Sequence, residues 1–178
     1  GIGFGGPCLI KDLKALIKIA ENNGYEANYL RSILEKNEHQ IRTILYKTKE
    51  ALGGHLYGKT VGILGLSFKA GTSDVRNSLS LKIIELLQKE GAKIKAYDPQ
   101  GMDDVRRIIS NIVLAQDPYE AAKSDVLLIL TAWREFEELD LERIKKSLRS
   151  PIIVDGVNIF DPEKMKKMGF VYRGVGRR

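Results

Sequence analysis

At 178 residues with 43% apolar side chains, the chain can bury one full core plus a smaller element, which excludes a disordered or low-complexity polypeptide. The formal net charge of +6 invites a polyanion partner, but the cations are interleaved with acids, as in Glu142-Arg143-Ile144-Lys145-Lys146. They read as solvated helix faces, and neither nucleic acid nor a membrane is expected as a partner.

Basic residues without acidic neighbours occur only from Arg173 to Arg178, a solvated tail, and the basic surface suits a small anionic ligand. No apolar run approaches the roughly 20 residues that span a bilayer. A single cysteine cannot form an internal disulfide, and this points to a reducing, cytoplasmic setting. The chain opens on Gly1 rather than Met, inside a glycine-rich loop, and reads as a fragment that begins a few residues before Cys8.

Gly1, Gly3, Gly5 and Gly6 form a loop that feeds an amphipathic helix from about Asp12, with Leu13, Leu16, Ile17 and Ala20 on one face and Gly24 past its end. From about Asn28 to Leu52 there is no Gly or Pro, and Leu30, Ile33, Leu34, Asn37, Ile41, Ile44, Leu45, Thr48 and Leu52 recur at spacings of three and four. That is one helix of roughly 38 Å, long enough to connect domains or to pair with a second copy. An ordinary core helix is the alternative.

From Gly58 onward, short apolar runs alternate with helical patterns. Strands are predicted at Thr60–Leu66, Lys93–Tyr97, Ile112–Leu114, Asp125–Thr131, Ile152–Asp155 and Phe170–Tyr172. Helices are predicted at Ser78–Lys89 and near Asp103, Pro118, Leu141 and Pro162. Continuous Val/Ile/Leu strands separated by helices imply an α/β fold with a doubly wound, mostly parallel, Rossmann-like sheet. Two units are expected: residues 1–56, holding the cysteine loop and central dimerisation helices, and residues 57–178, the Rossmann-like unit.

In such a sheet, ligands bind beyond the carboxyl ends of the strands. The loop Leu66-Ser67-Phe68-Lys69-Ala70-Gly71-Thr72-Ser73-Asp74-Val75-Arg76-Asn77-Ser78 lies there, rich in donors and offering the Phe68 ring to a base or ribose; Ser78 reads as a helix cap. Gly58, Gly62 and Gly65 do not spell a dinucleotide fingerprint, so no evident NAD site is expected in this half. Asp98, closing a strand before Pro99, fits either a ribose-binding acid or a turn. Cys8 sits ahead of a helix and three residues from Lys11, a setting that favours the thiolate. Position alone leaves Cys8 open between a nucleophile and an inert thiol.

Gly3-Phe4-Gly5-Gly6-Pro7-Cys8-Leu9-Ile10-Lys11-Asp12, Gly62-Ile63-Leu64-Gly65-Leu66-Ser67-Phe68-Lys69, Thr72-Ser73-Asp74-Val75-Arg76-Asn77-Ser78 and the closing Asp155-Gly156-Val157-Asn158 resemble the UDP-glucose/GDP-mannose dehydrogenase family over essentially the whole chain. The resemblance implies an NAD-dependent oxidation of a nucleotide sugar, UDP-glucose to UDP-glucuronate, in which the C6 alcohol becomes a carboxylate and two NAD are reduced. By that resemblance Cys8 is the catalytic thiol, passing through a thiohemiacetal and a thioester, and Asp12 activates water. Phe4, Gly5, Leu9, Phe68 and Lys69 contact the UDP-sugar substrate, while Lys11 and Arg76 contact NAD; no metal is assigned. It further implies a homodimer through the 28–52 helix and an NAD-binding amino-terminal domain outside this chain. Val157 stands where many UDP-glucose members carry arginine, which keeps UDP-N-acetylhexosamine and GDP-mannose open as substrates. Pro7 replaces a small polar residue but still permits a tight turn. A non-catalytic nucleotide-binding or regulatory module is the alternative from another class, and an NAD-binding domain in its own right is a third.

Overall fold

The computed structural model describes residues 1–177; Arg178, the end of the basic tail, lies outside the described residues. Two helices lead, α1 (Leu9–Asn22) and α2 (Asn28–Ala51). The remainder alternates β1 (Thr60–Leu64), α3 (Leu79–Lys89), β2 (Lys93–Tyr97), α4 (Met102–Ile108), β3 (Val113–Leu114), α5 (Pro118–Ala121) and β4 (Val126–Ile129). It closes with α6 (Arg134–Glu137), α7 (Leu141–Ser147), β5 (Ile152–Asp155), α8 (Pro162–Lys167) and β6 (Val171–Gly174).

The six strands lie in the order β3-β2-β1-β4-β5-β6, and every neighbouring pair is parallel. Side chains alternate across the sheet, as a period of two requires. Val61, Ile63, Val126, Leu128, Ile152 and Val154 face the layer built by α2 and α3, and pack with Ile41, Ile44, Ile83, Ile84 and Leu87. Leu64, Leu127, Ile129 and Ile153 face the opposite layer, with Ala121, Phe136, Ile144 and Met165. Both faces are covered, which is why the strands read as unbroken apolar runs.

Chain direction across the sheet reverses between β1 and β4, the switch point at which an open α/β sheet leaves a crevice beyond its strand ends. Gly62 in β1 allows α5 to approach closely. A Cβ there would lie 2.4 Å from the Ala121 carbonyl oxygen. The second half of α2 is part of this body, because Ile41, Ile44 and Leu45 share the core with β1, β4 and β5.

Candidate functional site

The first eight residues cross the carboxyl ends of the strands. Ile2 is buried against Gly156, at the end of β5, where a Cβ would meet the Ile2 side chain at 2.4 Å. Asn37 on α2 then grips the Phe4 backbone from both sides: its Oδ1 accepts from the Phe4 N–H at 2.7 Å, and its Nδ2 donates to the Phe4 carbonyl at 2.9 Å. Next, the Gly6 N–H donates to the Asn77 carbonyl at 3.2 Å. Glycine is required on this side, since a Cβ on Gly5 would stand 2.6 Å from that carbonyl and one on Gly6 2.7 Å from the Phe68 ring.

Between this loop and the strand ends lies a cleft of about 360 Å³. Gly1, Ile2, Gly3 and Gly5 form one wall, Ser67, Phe68, Lys69 and Ala70 another, and Leu130, Thr131, Ala132 and Val157 complete it beyond β4 and β5, with Ser78, Leu79 and Ser80 at the start of α3. The Lys69 ammonium stands 5.4 Å from the centroid of the Phe68 ring, placing a cation and an aromatic face side by side. A larger cleft of about 580 Å³, between α1, α2 and Lys82 of α3, lies away from the strand ends and contains none of these residues except Asn37.

The loop after β1 is held from below. Asp98 is fully buried and accepts from the amides of Leu66, Ser67, Gln100 and Gly101, the Ser67 hydroxyl and the Trp133 indole. Burial alone would raise its pKa, but the backbone hydrogen bonds from Ser67, Leu66, Gln100 and Gly101 outweigh it and hold the carboxyl below the usual range. Asp98 is therefore the turn-forming acid of the two readings, with its oxygens committed to the protein. The Thr131 hydroxyl donates to the Ser67 carbonyl at 2.8 Å. The Ser78 side chain does not cap α3; its hydroxyl donates 2.6 Å to the Leu66 carbonyl and ties the two ends of the loop together. The loop geometry outcompetes the cap because Leu66 is buried, and its carbonyl needs a donor there.

Of the residues singled out from sequence, Gly5, Phe68 and Lys69 share the cleft. Phe4 lies outside it, lining a separate apolar groove with Ile33 and Gln40 of α2. Cys8 is exposed at the position preceding α1, which begins at Leu9 rather than near Asp12. Asp12 sits one turn along, its amide donating to the Cys8 carbonyl at 2.8 Å, so the thiol and the carboxylate occupy neighbouring positions on one helix face. Lys11 pairs with Asp12 at 3.3 Å, and Leu9 is 60% exposed instead of forming a wall. Arg76 is exposed and grips Asp74 at 2.7 Å. Hydrogen bonding to Asp74 raises the Arg76 pKa and lowers that of Asp74.

Asn37 and Thr131 carry roles that the sequence pattern hid. Asn37 shows up only as a polar residue at a core-facing position of α2, and Thr131 only as the end of an apolar strand. The Rossmann-like half does not fit a resident dinucleotide by itself: the acid after β2 is saturated, and a 14-residue loop, Gly65 to Ser78, replaces the short glycine turn at the first strand.

Residues 62–162 match the model of the UDP-glucose/GDP-mannose dehydrogenase family, UDP binding domain, and residues 1–39 match that family's central domain. UDP-glucose 6-dehydrogenase from Rhizobium meliloti is 38% identical over 99% of this chain and 41% of its own length. UDP-glucose 6-dehydrogenase TuaD of Bacillus subtilis is 41% identical over 99% of the chain and 39% of its own length. Among solved structures, a UDP-glucose dehydrogenase from Pyrobaculum islandicum superimposes with a TM-score of 0.88 at 33% identity, covering 100% of this chain and 39% of that one. A UDP-D-ManNAc dehydrogenase from Pyrococcus horikoshii gives 0.81 at 30% identity over 99% of this chain and 40% of that one. The chain thus spans about 40% of the length of the relatives it matches. The glycine loop, the parallel sheet and the matched domains together show that this chain belongs to the UDP-glucose/GDP-mannose dehydrogenase family.

Proposed function

We propose that the chain is the cysteine-loop and UDP-sugar-binding part of an NAD-dependent nucleotide-sugar 6-dehydrogenase that converts UDP-glucose to UDP-glucuronate. The observation that carries this reading is the crossing of the strand ends by the Cys8 loop. It puts an exposed thiol at a helix start three residues beyond Gly5, which lines the cleft together with Phe68 and Lys69. In this reading, residues 1–56 supply the thiol and the dimer helix, and residues 57–178 hold the nucleotide. NAD would be held chiefly by a domain outside these residues, with Lys11 close to it and Arg76 offering a cation to its phosphates, and it would supply the hydride acceptor for both oxidations.

In the mechanism, the Cys8 thiolate adds to the C6 aldehyde, forming a C–S bond, and the alkoxide takes up a proton to give a thiohemiacetal. Loss of hydride from C6, with the hydroxyl proton leaving to solvent, then gives a thioester. Water, deprotonated by Asp12 one turn away, attacks the acyl carbon and expels the thiolate, releasing the carboxylate. Phe68 stacks on the nucleoside and Lys69 neutralises the pyrophosphate, while Phe4 and Leu9 close over the sugar once the neighbouring domain is in place. Such an enzyme is a cytoplasmic homodimer built on α2.

Val157 supports a second reading of the substrate. It gives the cleft an apolar side chain just beyond β5, a wall that suits the acetamido methyl of a UDP-N-acetylhexosamine better than a hydroxyl of glucose. GDP-mannose remains the comparison ligand. In the enzyme that joins this chain to its dinucleotide-binding domain, Cys8→Ser should lower NADH formation from UDP-glucose roughly a thousandfold or more, followed by absorbance at 340 nm. Undiminished NADH formation would instead favour a nucleotide-binding module without a catalytic thiol.

A further inference from the structure

The start of the Cys8 loop is anchored by buried Ile2 and by a hydrogen bond from Gln40 to the Gly1 carbonyl, and the stretch nearer Cys8 is fastened at two places, two residues apart. One is the Asn77 carbonyl, which receives the Gly6 N–H and belongs to the same loop as Phe68 and Lys69. The other is Asn37, in the middle of α2, thirty-three residues away from Phe4 in sequence. Asn37 is only 4% exposed, on the same face as the core residues Ile41 and Ile44. A buried amide at such a position is costly unless both its donor and its acceptor are used. Here both are used on the backbone of one residue, Phe4, across its two flanking peptide units, and the fit is tight: a Cβ on Gly3, whose φ is +110°, would come within 2.3 Å of Asn37 Oδ1.

We propose that Asn37 is the positioning residue of the cysteine loop, setting where Cys8 sits relative to the cleft by clamping the Phe4 backbone. The clamp does not touch the thiol. It fixes the peptide from which the next four residues project, and the Asn77 contact alone would leave that segment free to pivot about Gly6. The functional weight of the clamp rests on the reading of Cys8 as the reacting thiol; the clamp itself does not.

The test measures amide hydrogen exchange across the chain together with the rate of Cys8 alkylation by iodoacetamide in the parent protein, Asn37→Ala and Asn37→Asp. In Asn37→Ala, the Phe4 and Gly6 amides should exchange about tenfold faster or more while the β1 and β4 amides hold their protection, and the alkylation rate should change at least threefold. Asn37→Asp should restore loop protection as its carboxyl becomes protonated, since the acid form offers one acceptor and one O–H donor, whereas the alanine variant at the same pH should not recover. Gly3→Ala, which pushes against the same amide, should loosen the same segment. Parent-like loop exchange and alkylation in Asn37→Ala would overturn the proposal, and so would a uniform loss of protection across the sheet, which would make Asn37 a general core residue. Failure of the catalytic reading would look different, with altered loop exchange in Asn37→Ala but full NADH formation in Cys8→Ser.

Discussion

Asp98 concentrates more hydrogen bonds than any other side chain near the site, and its donors come from three separate stretches of sequence. Replacing one carboxylate oxygen by an NH2 group would set donor against donor. Asp98→Asn should therefore lower stability by about 3 kcal/mol in urea denaturation, and a loss below about 0.5 kcal/mol would contradict this assignment. The same geometry fixes a pH dependence. A carboxyl whose folded pKa is depressed contributes stability that is present above its unfolded value, 3.8, and is lost as pH falls through the folded value; Asp74, held down by Arg76, acts in the same sense. Acid unfolding should accordingly set in below about pH 4, and Asp98→Asn should flatten that limb of the curve. At the alkaline end, burial and then Glu135 push Tyr97 up to about 12, so its contribution is complete below 10 and is lost as pH rises toward 12. Cys8 stood out in sequence by its glycine-rich loop and nearby Lys11, and Asp12 only through the family resemblance, because the sequence pattern begins the helix near Asp12 rather than at Leu9. The saturation of Asp98 and the turn of the Ser78 hydroxyl toward Leu66 were not visible, because the partners that complete them, Leu66, Ser67 and Trp133, lie 12 to 35 residues away.

The elements themselves follow closely from local pattern. β2 and β5 have the bounds that their apolar runs predict, and α2 ends within a residue of its predicted stop. Strands next to the site end earlier than predicted: the apolar run continues through Leu66 and Thr131, but after Leu64 and Ile129 the backbone leaves the ladder to form the cleft. Helix α1 starts sooner than predicted, since the turn at Pro7 allows the helix to begin before the apolar periodicity does. A single turn such as α6 is too short to show any period, and sequence gave no sign of it. Gly62 makes a sharp prediction at this scale. Gly62→Ala drives a methyl into the Ala121 backbone carbonyl and the Ser124 hydroxyl, and should cost about 3 kcal/mol by thermal or urea unfolding; a loss below about 0.5 kcal/mol would contradict the close packing of α5 on β1.

On the scale of the whole molecule, the two halves of α2 differ in burial. Its second half is buried in the main core, and its first half carries exposed side chains such as Tyr29; Leu9, Leu16 and Ile19 of α1 are exposed apolar residues too. Amphipathic periodicity predicted the helix, yet the pattern could not separate the face that meets the sheet from one that meets a partner, because both are apolar. If α2 builds a homodimer, sedimentation should give twice the chain mass, and Tyr29→Glu together with Leu16→Glu should shift it to monomer with the fold intact by circular dichroism. The central claim, however, is that the cleft between the cysteine loop and the strand ends holds a nucleotide sugar. Calorimetric titration of the chain with UDP-glucose, UDP-N-acetylmannosamine, GDP-mannose and NAD tests it most directly. The structure predicts saturable heat with a UDP-sugar, its loss in Gly5→Val, and no comparable binding of NAD; tight NAD binding with none for any nucleotide sugar, or UDP-glucose binding that Gly5→Val leaves unchanged, would contradict it.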